Sequence, residues 1–196
     1  MKFGKLLWMF NSSKVRASKW GKKYKVKTII IQKEEEAKFL YKLASKYANY
    51  NIVELGRKYG GSAVVMGSAL RREGGTGRIY SVDLSEDHYE FSKEFIRDMG
   101  CLDYVELIKS NSQVYPLDYE INDVAFVLFD ATHDYDIMKE FNVWYDRIMP
   151  NGYMIIHDYG MEKHEGVTRA VDDFVVQHGL KISDKVGRIA VIRKLK

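Results

Sequence analysis

The chain of 196 residues has little that would staple or anchor it. Its one cysteine, Cys101, excludes an internal disulfide and makes a reducing, cytoplasmic setting the expectation. Its two prolines, Pro116 and Pro150, form no Pro-rich linker, and neither an internal repeat nor a low-complexity tract divides the chain. No apolar run approaches the roughly 20 residues that span a bilayer, so no transmembrane segment is expected. The run Leu6–Phe10 is too short for the apolar region of a signal peptide. Residues 1–27 lack acidic side chains altogether while holding eight lysines and Arg16, a charge of +9. The whole chain carries +4, so the remainder is net negative at −5.

What is present is the composition of a folded protein, 46% hydrophobic and 30% charged, at a length that suits one domain. The charge step divides a basic N-terminal arm, 1–32, from a domain over 33–196. A basic arm can touch anionic lipid, nucleic acid or an acidic partner, or can be a solvated extension that helps form a homodimer. Trp8, Phe10 and Trp20 among the lysines favour docking. No aromatic–basic RNA-recognition motif accompanies them, so a nucleic-acid partner is open but not favoured.

Beyond the arm, strand and helix patterns alternate. A helix is predicted over Lys33–Tyr50, with Ala37, Leu40, Tyr41 and Ala44 on one face and Glu34–Glu36 in its first turn. Short apolar runs read as buried parallel strands at Ile52–Leu55, Ile79–Val82, Tyr104–Ile108, Val124–Phe129 and Tyr153–Ile156. Helical patterns lie between them over Ser62–Leu70 and His88–Met99, the second with Ser85 as its expected N-cap. Another follows in the stripe Ile137, Phe141, Trp144, Tyr145 and Ile148, stopped by a turn at Pro150-Asn151-Gly152. A last helix carries Val167, Ala170, Val171 and Phe174. Lys181–Ser183 and Arg188–Arg193 then read as a hairpin. The fold class implied is α/β: a doubly wound, mostly parallel seven-stranded sheet with a C-terminal antiparallel hairpin.

In such sheets ligands bind beyond the carboxyl ends of the strands, so the chemistry should lie just after each one. The first strand runs into Glu54-Leu55-Gly56-Arg57-Lys58-Tyr59-Gly60-Gly61-Ser62, either a ligand loop or only a tight strand–helix turn. Gly56 and Gly60 are four apart, which is not the G-x-G-x-x-G dinucleotide spacing and argues against a nicotinamide-dependent oxidoreductase. Asp83, ending the second strand, can accept ribose hydroxyls or can serve as a helix N-terminal charge; paired with the Gly-rich turn it favours a nucleoside. Ser110-Asn111-Ser112 offers polar contacts to a base, or turn capping. Asp130 after the fourth strand and His157-Asp158 after the fifth could meet at one divalent cation, or form a metal-free polar cluster.

Taken in order, Glu-Leu-Gly-(three residues)-Gly-Gly-Ser, Asp83, Asp130-x-x-His133-x-Tyr135 and Pro-x-Gly-(four residues)-His-Asp-Tyr resemble the class I S-adenosylmethionine (SAM)-dependent methyltransferases. More narrowly they are similar to the small-molecule O-methyltransferase and cephalosporin-hydroxylase-like group, over about residues 33–193. The resemblance implies a Rossmann-like fold and methyl transfer from SAM to a hydroxyl of a small-molecule or glycan acceptor. It implies that Glu54, Gly56, Gly60, Gly61 and Ser62 form the methionine pocket. Asp83 would hold the ribose, Leu84 would pack near adenine, Asn111 would meet the adenine edge, and Asp130 would border the cofactor. It further implies Mg2+ or another divalent cation on Asp130, His157 and Asp158. Two positions depart from the pattern: Ala131-Thr132 stands where relatives often have Gly-Asp, and His157 where an oxygen ligand is usual. With that carboxylate base gone, His133 or His157 could accept the proton, and His133 is the expected base beside Asp130. The competing functions are a non-catalytic SAM- or nucleoside-binding module acting through the basic arm, and a methyltransferase acting on nucleic acid.

Overall fold

Alternation of apolar and small polar residues dictates which side of the sheet each strand residue faces. The computed structural model describes the chain apart from residues 26, 30–31, 115–119 and 196. A 3-10 helix at Phe3–Phe10 precedes α1 (Ser12–Ala17), α2 (Lys19–Tyr24) and α3 (Glu34–Lys46). Then come β1 (Asn51–Leu55), α4 (Gly61–Glu73), β2 (Ile79–Asp83), α5 (Tyr89–Asp98), β3 (Val105–Lys109) and β4 (Val124–Phe129). The chain continues through α6 (Ile137–Trp144), β5 (Ile148–Ile156), α7 (Glu165–Gln177), β6 (Ile182–Val186) and β7 (Ile189–Arg193). The seven strands lie in the order β3-β2-β1-β4-β5-β7-β6. β1 to β5 are mutually parallel, and β7 pairs antiparallel with both β5 and β6. Strand order reverses between β1 and β4, which is where a doubly wound sheet opens a crevice.

Period-2 alternation splits the core in two. Ile52, Ile79, Phe126, Leu128 and Ile155 pack with α3, α4 and α5 on one face. Val53, Leu55, Val127, Phe129, Met154 and Ile156 pack with α6 and α7 on the other. There Phe129, Phe141 and Phe174 form an edge-to-face series with ring centroids 5.0 and 5.3 Å apart. Each such buried ring contributes about 1.5–3 kcal/mol of burial energy.

The basic N-terminal segment is two-sided. Its lysines are exposed, while Leu6, Met9 and Val15 are buried in the first core. Trp8 stacks on Trp20 at 5.6 Å, and both rings meet Phe95 of α5 edge-on. Lys19 and Lys23 pair with Asp98 and Glu94 of the same helix at 2.6 and 2.5 Å.

Several sequence expectations are corrected in detail. The first helix ends at Lys46 rather than Tyr50. Ser85 does not cap α5: the helix begins four residues later, and Ser85 Oγ instead accepts the Asp87 amide in a short turn at 3.2 Å. Ile148 and Pro150-Asn151-Gly152 do not end α6 but lie inside β5, where the register against β4 shifts and Asn151 takes a left-handed φ of 65°. That is a bulge written with turn residues. The hairpin is tighter than expected: residues 184–186 belong to β6, leaving Gly187-Arg188 as its two-residue turn. Among the described residues, no helix is long and apolar enough to cross a membrane.

Candidate active site

Backbone pairing runs past the strand ends and aligns them. The Gly56 amide donates to Val82 O, the Asp130 amide to Leu55 O, and the His157 amide to Phe129 O, at 2.9, 2.9 and 3.0 Å. The residues that follow β1, β2, β4 and β5 therefore reach the same rim, around a cavity of about 810 Å³. That size is ordinary for a cofactor-sized ligand.

Gly56 has a φ of 93°, and a Cβ there would collide with the Asp130 carbonyl, so the loop after β1 can press against the one after β4 only as glycine. Gly60, also left-handed, is the N-cap that precedes α4. Asp83 fastens the loop: Oδ2 accepts the Arg57 and Lys58 amides, both at 2.9 Å, and Oδ1 accepts the Ser85 amide at 2.8 Å. A carboxylate offers about four acceptor sites, so about one remains for a ribose hydroxyl rather than two.

Gly56, Gly61, Ser62, Asp83, Leu84, Asn111 and Asp130 line the cavity. Glu54 and Gly60 are not in its wall. Glu54 is fully buried on the α4 side of β1, where it accepts hydrogen bonds from Ser62 and Ser81 and supports Ser62 from beneath. Burial outweighs those bonds and pushes its carboxyl up to about 7. Asn111 closes a small turn by accepting the Gln113 amide at 2.9 Å, and Leu84 lies largely exposed at the rim.

A carboxylate–imidazole cluster also lines the cavity, next to the Gly56 turn. His157 Nδ1 lies 2.9 Å from Asp130 Oδ1 and 3.1 Å from Asp158 Oδ1, and its Nε2 lies 3.4 Å from Glu36 Oε2. Asp158, on a left-handed backbone with φ 61°, turns Oδ2 toward His133 Nδ1 at 3.2 Å and His164 Nε2 at 3.3 Å. Gln32 Nε2 donates to Asp130 Oδ2 at 2.7 Å. Burial draws the His157 imidazole down, but Asp130, Asp158 and Glu36 outweigh it and hold the ring at about 11. Burial likewise opposes ionisation of Asp158 and Glu36, yet their imidazole partners, with Arg188 at Glu36, hold both carboxyls well below the usual range. Asp158 raises His133 above its ordinary value, against partial burial.

Asp130, His133, His157 and Asp158 are thus brought together. Glu36, Gln32, His164 and Arg188 complete the cluster and were missed by sequence reasoning. His164 sits in the segment after β5, whose sequence carries no readable pattern, and Glu36 and Arg188 lie 152 positions apart in the chain. Nor does the Thr132 site lack a carboxylate nearby: buried Glu140 of α6 accepts the Thr132 and Ser112 hydroxyls, both at 2.6 Å. Its carboxyl is pushed up by burial, and it supports the wall from behind.

The cluster suits a divalent cation. Nδ1 of His157 is a buried nitrogen with no directed hydrogen-bond partner, although two carboxylate oxygens lie close to it. One ligand atom of each of Asp130, His157 and Asp158 lies within 4.8 Å of the others, near enough for a single ion to take all three.

A family model described as a methyltransferase domain matches residues 53–159, more than half of the chain. The chain belongs to that family. The methyltransferase fold is also that of solved structures: the O-methyltransferase NovP matches with a TM-score of 0.71 at 16% identity, covering 86% of this chain and 83% of its own. An O-methyltransferase from Bacillus cereus, solved with SAH, matches with a TM-score of 0.68 at 14% identity and 100% of both chains. Among curated relatives, the ubiquinone/menaquinone biosynthesis C-methyltransferase UbiE of Enterobacter sp. (strain 638) is 22% identical over 115 residues, 59% of this chain and 46% of the relative. UbiE of Klebsiella pneumoniae subsp. pneumoniae is 22% identical over 130 residues, 66% and 50% of the two chains. This chain therefore spans about half the length of the curated relatives it matches.

Proposed function

We propose that this methyltransferase moves the sulfonium methyl of SAM to a hydroxyl of a small-molecule or glycan acceptor. One observation carries the reading: a single cavity is lined both by the Gly56 turn and Asp83 and by the Asp130–His133–Asp158 cluster. The O-methyltransferase TomG from Streptomyces achromogenes, in complex with SAM, shares the fold at a TM-score of 0.66, which is consistent with SAM as the cofactor.

In this reading Gly56, Gly61 and Ser62 receive the methionine part of SAM, with Glu54 and Gly60 shaping that loop from outside the wall. Asp83 takes one ribose hydroxyl, Leu84 covers adenine, Asn111 meets its edge, and Asp130 borders the transferring methyl. The acceptor oxygen displaces sulfur in line, forming the O–C bond as the C–S bond breaks, and the chain's task is to hold the three atoms collinear. Asp158 accepts the Nδ1 hydrogen of His133, which leaves Nε2 to take the hydroxyl proton. A divalent cation on Asp130, His157 and Asp158 would supply Lewis-acid lowering of the acceptor's pKa.

The test is calorimetry with SAM and its demethylated product, followed by labelled-SAM turnover on sugars, catechols and nucleic acids. Turnover on a hydroxylated small molecule is expected, and His133→Ala should slow it about 100-fold. A loss of only a few-fold would remove His133 as the base. Retention of SAM without turnover would favour a binding module, and labelled nucleic acid would move the acceptor to that class.

A further inference from the structure

Glu36 and Arg188 meet across almost the whole sequence, and the mechanism above gives them no part. Glu36 is fully buried, and its carboxylate accepts the Lys33 amide at 2.6 Å and the Arg188 amide at 2.7 Å. It also accepts Arg188 Nε at 3.1 Å and the terminal guanidinium nitrogen at 3.0 Å. So planar a clamp leaves the carboxylate no freedom to turn. Among the described residues, His157 Nε2 also lies beside it, at 3.4 Å.

An ionised carboxylate only accepts hydrogen bonds, so Nε2 is the nitrogen that carries hydrogen. In a neutral ring this makes Nδ1 the lone-pair nitrogen. Without a metal, a protonated ring satisfies both Asp130 Oδ1 and Asp158 Oδ1 through Nδ1–H; a cation seated among the three atoms takes the place of that proton and meets the lone pair of the neutral ring. A metal-bound histidine that donates its other N–H to a carboxylate is a recurrent support arrangement, and losing the support costs 10–100-fold in metal affinity. The nature of the donors decides which ion. Magnesium favours all-oxygen sites and surrenders its water reluctantly, whereas imidazole suits later first-row ions such as cobalt and zinc.

We infer that Glu36, clamped by Arg188, is a positioning residue that presents His157 Nδ1 as the nitrogen donor of a mixed centre with Asp130 and Asp158, selective for Co2+ or Zn2+ over Mg2+. This rests on the cation part of the proposed function and is independent of methyl transfer.

The experiment uses the full chain, stripped with chelator and dialysed, and titrated calorimetrically without SAM against cobalt, zinc and magnesium chlorides. Ligand-field absorption of bound cobalt gives a second readout. Cobalt should bind at least about 30-fold more tightly than magnesium, and His157→Asp should collapse that ratio toward unity. Glu36→Gln should weaken cobalt about 10-fold or more, with circular dichroism confirming the fold. If Glu36→Gln does not fold, Arg188→Lys, which removes the planar clamp but keeps the charge, should weaken cobalt in the same direction. The inference is overturned if the wild-type chain binds no divalent ion or binds magnesium as well as cobalt. It is equally overturned if whichever of these two variants folds keeps cobalt affinity within threefold. SAM titrated separately keeps the readings apart: metal binding without SAM binding would refute the methyltransferase function and leave this inference standing.

Discussion

Glu54→Gln tests whether a carboxyl beneath the cofactor loop carries its proton in the folded state. Burial raises Glu54 from 4.5 to about 7, so the native chain holds this proton more tightly than the unfolded chain. Its contribution to stability is fully present below pH 4.5 and is lost as pH rises through about 7. The rise from 4.5 to about 7, at about 1.36 kcal/mol per tenfold change in proton affinity, sets a ceiling of about 3 kcal/mol, of which about 2.5 kcal/mol falls between pH 5 and pH 8. Glutamine is neutral throughout and can still accept from Ser62 and donate to Ser81. The variant should therefore gain on wild type by about 2–3 kcal/mol from pH 5 to pH 8, a relative rise of roughly 5–10 °C in melting temperature for a domain of this size. Urea unfolding of both proteins across that range, followed by circular dichroism, measures the difference directly and cancels groups common to both. A gap that stays flat with pH would show Glu54 titrating as it does in the unfolded chain and would refute the reasoning. A variant less stable at every pH would show that the two serine hydroxyls hold a carboxylate.

Three further outcomes are expected. Gly56→Ala should destabilise the fold by more than about 3 kcal/mol in thermal melts, because a left-handed φ and a collision with the Asp130 carbonyl act together. Asp83→Ala should weaken SAM at least about 30-fold by calorimetry, since it frees the Arg57 and Lys58 amides along with the proposed ribose contact. Leu6→Ala should cost about 2–5 kcal/mol in urea unfolding; a loss below about 0.5 kcal/mol would mean the basic segment does not share the core.

Much of the architecture was legible because buried parallel strands leave short apolar runs, and because the ends of those runs name Gly56, Asp83, Asp130 and Asp158 directly. What local pattern could not supply was long-range approach. The Lys-rich start reads as an arm, yet Leu6, Met9 and Val15 are spaced to bury one side of it in the core that α3 and α4 share. Pro150-Asn151-Gly152 carries the same residues whether it ends an element or bends one, and only pairing with β4 reveals the bulge. Glu36 was read as a helix-dipole charge in a run of three glutamates. The inward face of α3 selects it alone, and Arg188 reaches it only because the last hairpin folds back beside β5.

The placement of the three tryptophans gives the molecule its own optical reporters. Trp8 and Trp20 share one aromatic nest on α5, while Trp144, on the other side of the sheet, donates its indole hydrogen to the Ser112 carbonyl at 2.9 Å. Since Ser112 borders the cavity, emission from Trp144 should change when a ligand enters beside it. The other pair reports whether the lysine-rich start stays seated, so single-tryptophan versions of the chain would allow the two processes to be watched separately in solution.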